Sequence, residues 1–118
     1  SYSCWMAGFS IDPDAFTCDA DAFAAQLAEA GVSGIGTGRY YLMPAGLEFL
    51  QHQADAQHFP FSPETAARRY RYRAEEYPTA QAFLETFIRW SSFCEKYQPE
   101  HCRLLASMVR QVAEDNRR

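Results

Sequence analysis

The chain opens on an alternation. In residues 2–11 (YSCWMAGFSI), Trp5, Ala7, Phe9 and Ile11 fall on one side and Tyr2, Cys4 and Met6 on the other, the period-two spacing of a β-strand. Both sides are apolar, so each needs a cover. Asp12-Pro13-Asp14 ends the strand. The period then becomes helical from about Asp19 to Ala30, with acids in the first turn, Phe23, Ala24, Leu27 and Ala30 on one face, and Gly31 as the stop. A bend and a second strand are predicted over about residues 34–42. Pro44 opens a short helix through about Gln51, with Leu47 and Leu50 facing the core. Residues 52–77 have no clear period beyond a short helix expected at Ser62-Pro63-Glu64, and a stretch this long in a small domain is more often a functional or interface loop than an idle one. Pro78 or Thr79 begins a helix carrying Ala82, Phe83 and Leu84, and Thr86 to Trp90 reads as a third strand. In the last helix, started by Pro99 and Glu100, Leu105, Met108, Val109 and Val112 recur at helical spacing, and Arg117-Arg118 suits its C-terminus.

This order predicts one domain over residues 1–118 of the α/β (α+β) class, a small three-stranded sheet with helices packed on one face. The doubly apolar first strand then leaves the other face open, to be covered by a missing domain or a partner. Strand-like sequence begins directly after Ser1, which suggests a piece of something longer. A hydrophobic fraction of 47% with 15% aromatics excludes a disordered chain. No apolar run approaches the roughly 20 residues of a membrane span and no leader precedes a cleavage site, so no membrane association and a cytoplasmic location are expected.

The net charge of -4 conceals an uneven division: residues 1–60 carry -6 and residues 61–118 carry +2. The basic cluster is Arg68-Arg69-Tyr70-Arg71-Tyr72-Arg73. Arginines among tyrosines suit stacking on bases and pairing with phosphates, yet Glu75 and Glu76 follow at once and the chain is acidic, so no nucleic-acid partner is expected. The segment is read as solvated or as an interface, docking on a negative patch or holding a phosphorylated ligand. Cys4, Cys18, Cys94 and Cys102 match no zinc or redox spacing. His52, Asp55 and His58 come nearest to a metal site and offer too few ligands, so no metal is expected.

Four of the six glycines lie in Gly31-Val32-Ser33-Gly34-Ile35-Gly36-Thr37-Gly38, which leads into Arg39-Tyr40-Tyr41-Leu42-Met43-Pro44. One reading is a helix stop followed by a bend into a strand. The other is a pocket for a polar ligand, because a cation and two phenols stand where the bend opens. For each tyrosine a core or interface role is equally open.

Several phrases resemble the carboxy-terminal small domain of the pyridoxal-phosphate-dependent sugar aminotransferases of the DegT/DnrJ/EryC1/StrS family. Trp5 to Asp12 resembles the family's opening aromatic strand, and residues 21–32 (DAFAAQLAEAGV) the helix leading to its Gly-Ile-x-Thr bend, here Gly34 to Tyr41. Pro44 and Phe49 stand at its substrate loop, with Ala45 and Gly46 where the family has a histidine. Tyr77-Pro78-Thr79-Ala80-Gln81 through Trp90 is similar to its Pro-x-Ala-Glu helix and short strand, and Tyr97 to Ala113 to its terminal helix. The resemblance implies an intact homodimeric transferase whose preceding large domain binds pyridoxal phosphate and holds the Schiff-base lysine. It implies a keto-sugar, often nucleotide-linked, or a keto-cyclitol as substrate. This chain would close over the cleft and contact that substrate through Arg39, Tyr40, Tyr41 and Thr37. It would bind no cofactor and catalyse nothing alone, because Lys96 sits in a Glu-Lys-Tyr connection with nothing to desolvate it. Two other classes stay open: a free-standing module for a small acidic ligand, and an interaction protein using residues 66–77 and the open sheet face.

Overall fold

The computed structural model describes residues 6–38, 42–66, 69–92 and 94–118. They divide into two compact units, residues 1–39 with 85–118, and residues 40–84. The first unit holds a three-stranded antiparallel sheet in the order β1 (Ala7–Ser10), β3 (Phe87–Trp90), β2 (Ile35–Gly36). The last strand is thus the middle one. Phe9 stands opposite Ile88, and Ala7 and Ile35 both stand opposite Trp90, so these five side chains share one face. That face carries α1 (Ala20–Glu29) and α5 (Pro99–Asp115). Phe23, Leu27 and Ile88 are fully buried at its centre, joined by Ile11, Ala20, Ala24, Val32 and Val112, with Leu105, Met108 and Val109 packed around them. The mixed α/β class and the layering of helices on one face are as the sequence predicts.

Local signals explain why α1 lies where it does. The Asp19 carboxylate accepts from the Ala22 N–H at 2.8 Å, which satisfies one of the donors a helix start leaves open. At the other end the Gly31 N–H donates to the Ala28 carbonyl and the Val32 N–H to the Leu27 carbonyl, both at 3.0 Å, with Gly31 at φ +100°. This is the Schellman closure, and its apolar residue, Val32, joins Leu27 in the core. α5 begins where the His101 Nδ1 accepts from the Gln98 N–H at 2.9 Å. It ends at Asn116, whose side-chain amide donates to the Gln26 side chain at 2.7 Å and to the Val112 carbonyl at 2.8 Å, tying α5 to α1.

The second unit contains α2 (Met43–Gly46), α3 (Glu48–Asp55), a 3-10 turn at Ala74–Glu76 and most of α4 (Pro78–Thr86). Among its described residues Ala54 alone is a buried hydrophobic, while Met43, Phe49, Phe59 and Phe83 are more than half exposed. Several expectations are corrected here. The helix expected from Pro44 to Gln51 is two: the chain leaves helical geometry at Leu47 and resumes through Asp55, and Leu47 and Leu50 are only half-buried. At Ser62-Pro63-Glu64 there is a single turn, closed by Thr65 and Ala66 N–H groups on the Ser62 carbonyl. β2 ends at Gly36 instead of near Leu42, because Thr37 lies in a bend and Gly38, at φ +70°, turns the chain out of the strand. The open side of β1 is exposed at Gly8 and Ser10, so of the apolar second face only half-buried Met6 is described, and Tyr2 and Cys4 lie outside the described residues.

Leu27→Ala is expected to lower stability by about 3 kcal/mol, the ordinary cost of a cavity at a fully buried leucine. Urea denaturation followed by circular dichroism measures it, and a loss below about 1 kcal/mol would contradict the core assigned here.

Candidate functional site

Of the four residues expected to contact a ligand, Thr37 is described; Arg39, Tyr40 and Tyr41 lie outside the described residues. Thr37 follows β2 directly and is half-buried. Its hydroxyl donates to Asp21 in the first turn of α1, which pins the exit of β2 to the start of that helix. The oxygen keeps acceptor capacity, so Thr37 offers a ligand an acceptor and not a donor.

The sheet face away from α1 and α5 carries a residue that sequence reasoning passed over. Arg89 lies in the middle of β3, opposite Gly8 on one side and Gly36 on the other. With no side chain on either neighbour, the guanidinium lies along the sheet: its Nη2 is 3.7 Å from where a Cβ on Gly36 would stand. Phe87 fills the remaining space, its ring 2.4 Å from where a Cβ on Gly8 would be, so Gly8 is fixed by close approach. The Arg89 Nη1 donates to the Ser91 Oγ at 3.3 Å, and that hydroxyl donates in turn to the Gly34 carbonyl at 3.1 Å. Gly34 has φ +74°, and a Cβ there would meet the Ser92 Oγ at 2.0 Å. The glycine-dense bend is therefore shaped by close backbone approach to residues 91–92, and it steers Ser91 beneath Arg89.

Ser91 takes one nitrogen of the guanidinium. The Arg89 Nε is buried and has no hydrogen-bond partner, and Arg89 makes no ion pair among the described residues. A planar cation held at one corner and without an ion pair among the described residues is suited to a carboxylate or phosphate oxygen. The signal was present in the sequence as the lone charge in Phe87-Ile88-Arg89-Trp90, where alternation places Arg89 opposite the core face. Among the described residues no three of His, Cys, Asp and Glu gather as a metal site, so His52, Asp55 and His58 do not form one. Cys18, Cys94 and Cys102 are free thiols. No helix among the described residues is long and apolar enough to cross a membrane. No family model matches this chain, and neither a curated protein nor a solved structure matches it.

Arg89→Met is expected to leave stability unchanged or to raise it by up to about 1 kcal/mol, because it removes a buried donor without a partner and keeps an apolar stem over the glycines. Chemical denaturation decides this. A loss of more than about 1 kcal/mol would make Arg89 a brace of the sheet and not a ligand-directed cation.

Proposed function

We propose that this chain is the small domain of a cytoplasmic pyridoxal-phosphate-dependent aminotransferase of the DegT/DnrJ/EryC1/StrS kind, with a keto-sugar, often nucleotide-linked, or a keto-cyclitol as amino acceptor. What supports the reading most is the layering. The element order is the one the resemblance implies, α1 and α5 lie on one face of the sheet, and the opposite face presents Gly8, Arg89 and Gly36 to whatever covers it. The described residues do not themselves fit the cofactor. Lys96, the one lysine, is exposed in the turn before α5, whereas a lysine that forms a Schiff base must be desolvated. In this reading the cofactor, its lysine and its phosphate site belong to a preceding large domain of a homodimer. This chain closes over the cleft, excludes water and contacts the acceptor through Arg39, Tyr40, Tyr41 and Thr37.

A second reading, a free-standing module for a small acidic ligand, is favoured by Arg89, a cation without an ion pair among the described residues. The two separate cleanly on the product of the chain's own gene. After borohydride reduction and peptide mapping, a pyridoxyl group is expected on a lysine outside residues 1–118. Arg39→Ala in that enzyme is expected to raise KM for the acceptor about tenfold or more with cofactor absorbance retained. A gene product no longer than these 118 residues, or one that takes up no pyridoxal phosphate, overturns the aminotransferase reading and leaves the binding module.

A further inference from the structure

The arginine and tyrosine run is not used by either reading. From residue 69 to 73 the chain alternates between exposed and half-buried: Arg69, Arg71 and Arg73 are exposed, Tyr70 and Tyr72 half-buried. That is the period of an extended segment with one side against the protein. The inner side is aromatic. The Tyr70 and Tyr72 rings stack with centroids 6.4 Å apart and planes 10° apart, and each meets Phe61 at 5.7 Å. The trio holds the backbone extended and so keeps the arginines together on the outer side. Arg73 is neutralised by Asp55 at 2.8 Å. Arg69 and Arg71 make no ion pair among the described residues, which include every acid in the chain.

The 3-10 turn at Ala74–Glu76 then reverses the chain, with the Glu76 N–H on the Arg73 carbonyl and the Tyr77 N–H on the Ala74 carbonyl. Glu76 and Tyr77 thereby close a recess of about 320 Å³ with Arg69, Tyr70 and Arg71. This volume is at the small end of ligand sites. Two guanidiniums without a carboxylate partner match a phosphate, whose oxygens take paired N–H donors. Glu76 on the same wall repels a bare anion and accepts hydroxyl protons, and Tyr77 beside it adds an aromatic side chain. The one ligand chemistry that satisfies all three is a phosphate joined to a hydroxyl-bearing body.

We propose that this recess binds the phosphorylated end of a small polyhydroxy compound, with Arg69 and Arg71 on the phosphate and Glu76 on the hydroxyls. The described lining residues all lie within residues 69–77, and the site stands or falls independently of the aminotransferase reading. Calorimetric titration of the 118-residue chain with glucose 1-phosphate is expected to give saturable binding, at least fivefold tighter than that of inorganic phosphate. Arg69→Gln and Arg71→Gln are each expected to weaken it about tenfold or more, the loss of a charge-assisted contact. Both side chains are exposed, so the fold survives their exchange. Glu76→Ala is expected to abolish the preference for the sugar phosphate over phosphate. Arg103→Gln, which removes the same charge from an exposed position on α5, is expected to change nothing. The proposal is overturned by the absence of saturable binding at millimolar ligand, by equal effects of Arg69→Gln, Arg71→Gln and Arg103→Gln, or by tighter binding of a short oligouridylate than of glucose 1-phosphate.

Discussion

The packing of Ile88 beneath Phe23 and Leu27 is the contact on which the rest of the first unit depends. β1 and β2 do not pair with each other; each is hydrogen-bonded only to β3, which follows β1 by about two thirds of the chain and β2 by a little under half. Until Phe87–Trp90 enters between them there is no sheet for α1 to cover, and α5 has only half a core to lie on. The fold is therefore carried by non-local contacts, and closing the connection from residue 37 to residue 86 is a condition of its formation. Closure entropy grows only with the logarithm of loop length, about 0.6 kcal/mol per doubling. A long connection thus costs the first unit little, and residues 40–84 are free to carry features the sheet does not need. The aromatic trio of Phe61, Tyr70 and Tyr72 is one of these.

The same central strand sets the chemistry of the open face. Because β3 is flanked on both sides, Arg89 has a neighbour on each, and both are glycine. A Cβ at Gly8 would collide with the Phe87 ring, whereas one at Gly36 would meet the guanidinium at 3.7 Å, an ordinary contact, so close approach demands the glycine at Gly8 alone. The Arg89, Ser91 and Gly34 chain explains the bend in the same terms: the positive φ of Gly34 lets its carbonyl receive both the N–H and the hydroxyl of Ser91.

Where local chemistry decided the outcome, the sequence was easy to read. Asp19 and Gly31 bound α1 within a residue of the expected ends because capping is a property of adjacent residues. β3 and α5 were legible from short, clean periods. The rest depended on residues meeting across the chain. Aromatic and apolar residues follow Gly36 in the sequence, but a glycine at positive φ ends β2, and no local count distinguishes that glycine from Gly36. The Gln26 and Asn116 amide pair joins positions ninety residues apart. Arg89 was visible only as one charge in an apolar strand, and its importance comes from the two glycines that pairing brings beside it. The alternation in residues 69–73 was legible as a pattern and was read as charge, because nothing in the sequence announced Phe61 as the surface under the tyrosines. Arg39, Tyr40 and Tyr41 were placed by the resemblance and by their position after the bend, and they lie outside the described residues.

The placement of charge argues that the arginines are there for something other than stability. In a chain of net charge -4, acids are plentiful enough to neutralise every exposed cation, yet among the described residues the one ion pair is Arg73 with Asp55, both side chains about half exposed. A pair that exposed is worth about 0.2–1 kcal/mol, so forming or omitting one has little effect on folding. Arg69, Arg71 and Arg89 stand without a carboxylate to meet them among the described residues, on the recess wall and on the sheet face. Arg89, already held at Nη1 by the Ser91 hydroxyl, loses little further freedom on meeting an external anion, which favours a charge-assisted contact. The stability of the fold rests on the apolar layer between sheet and helices, and that division leaves its cations available for ligands.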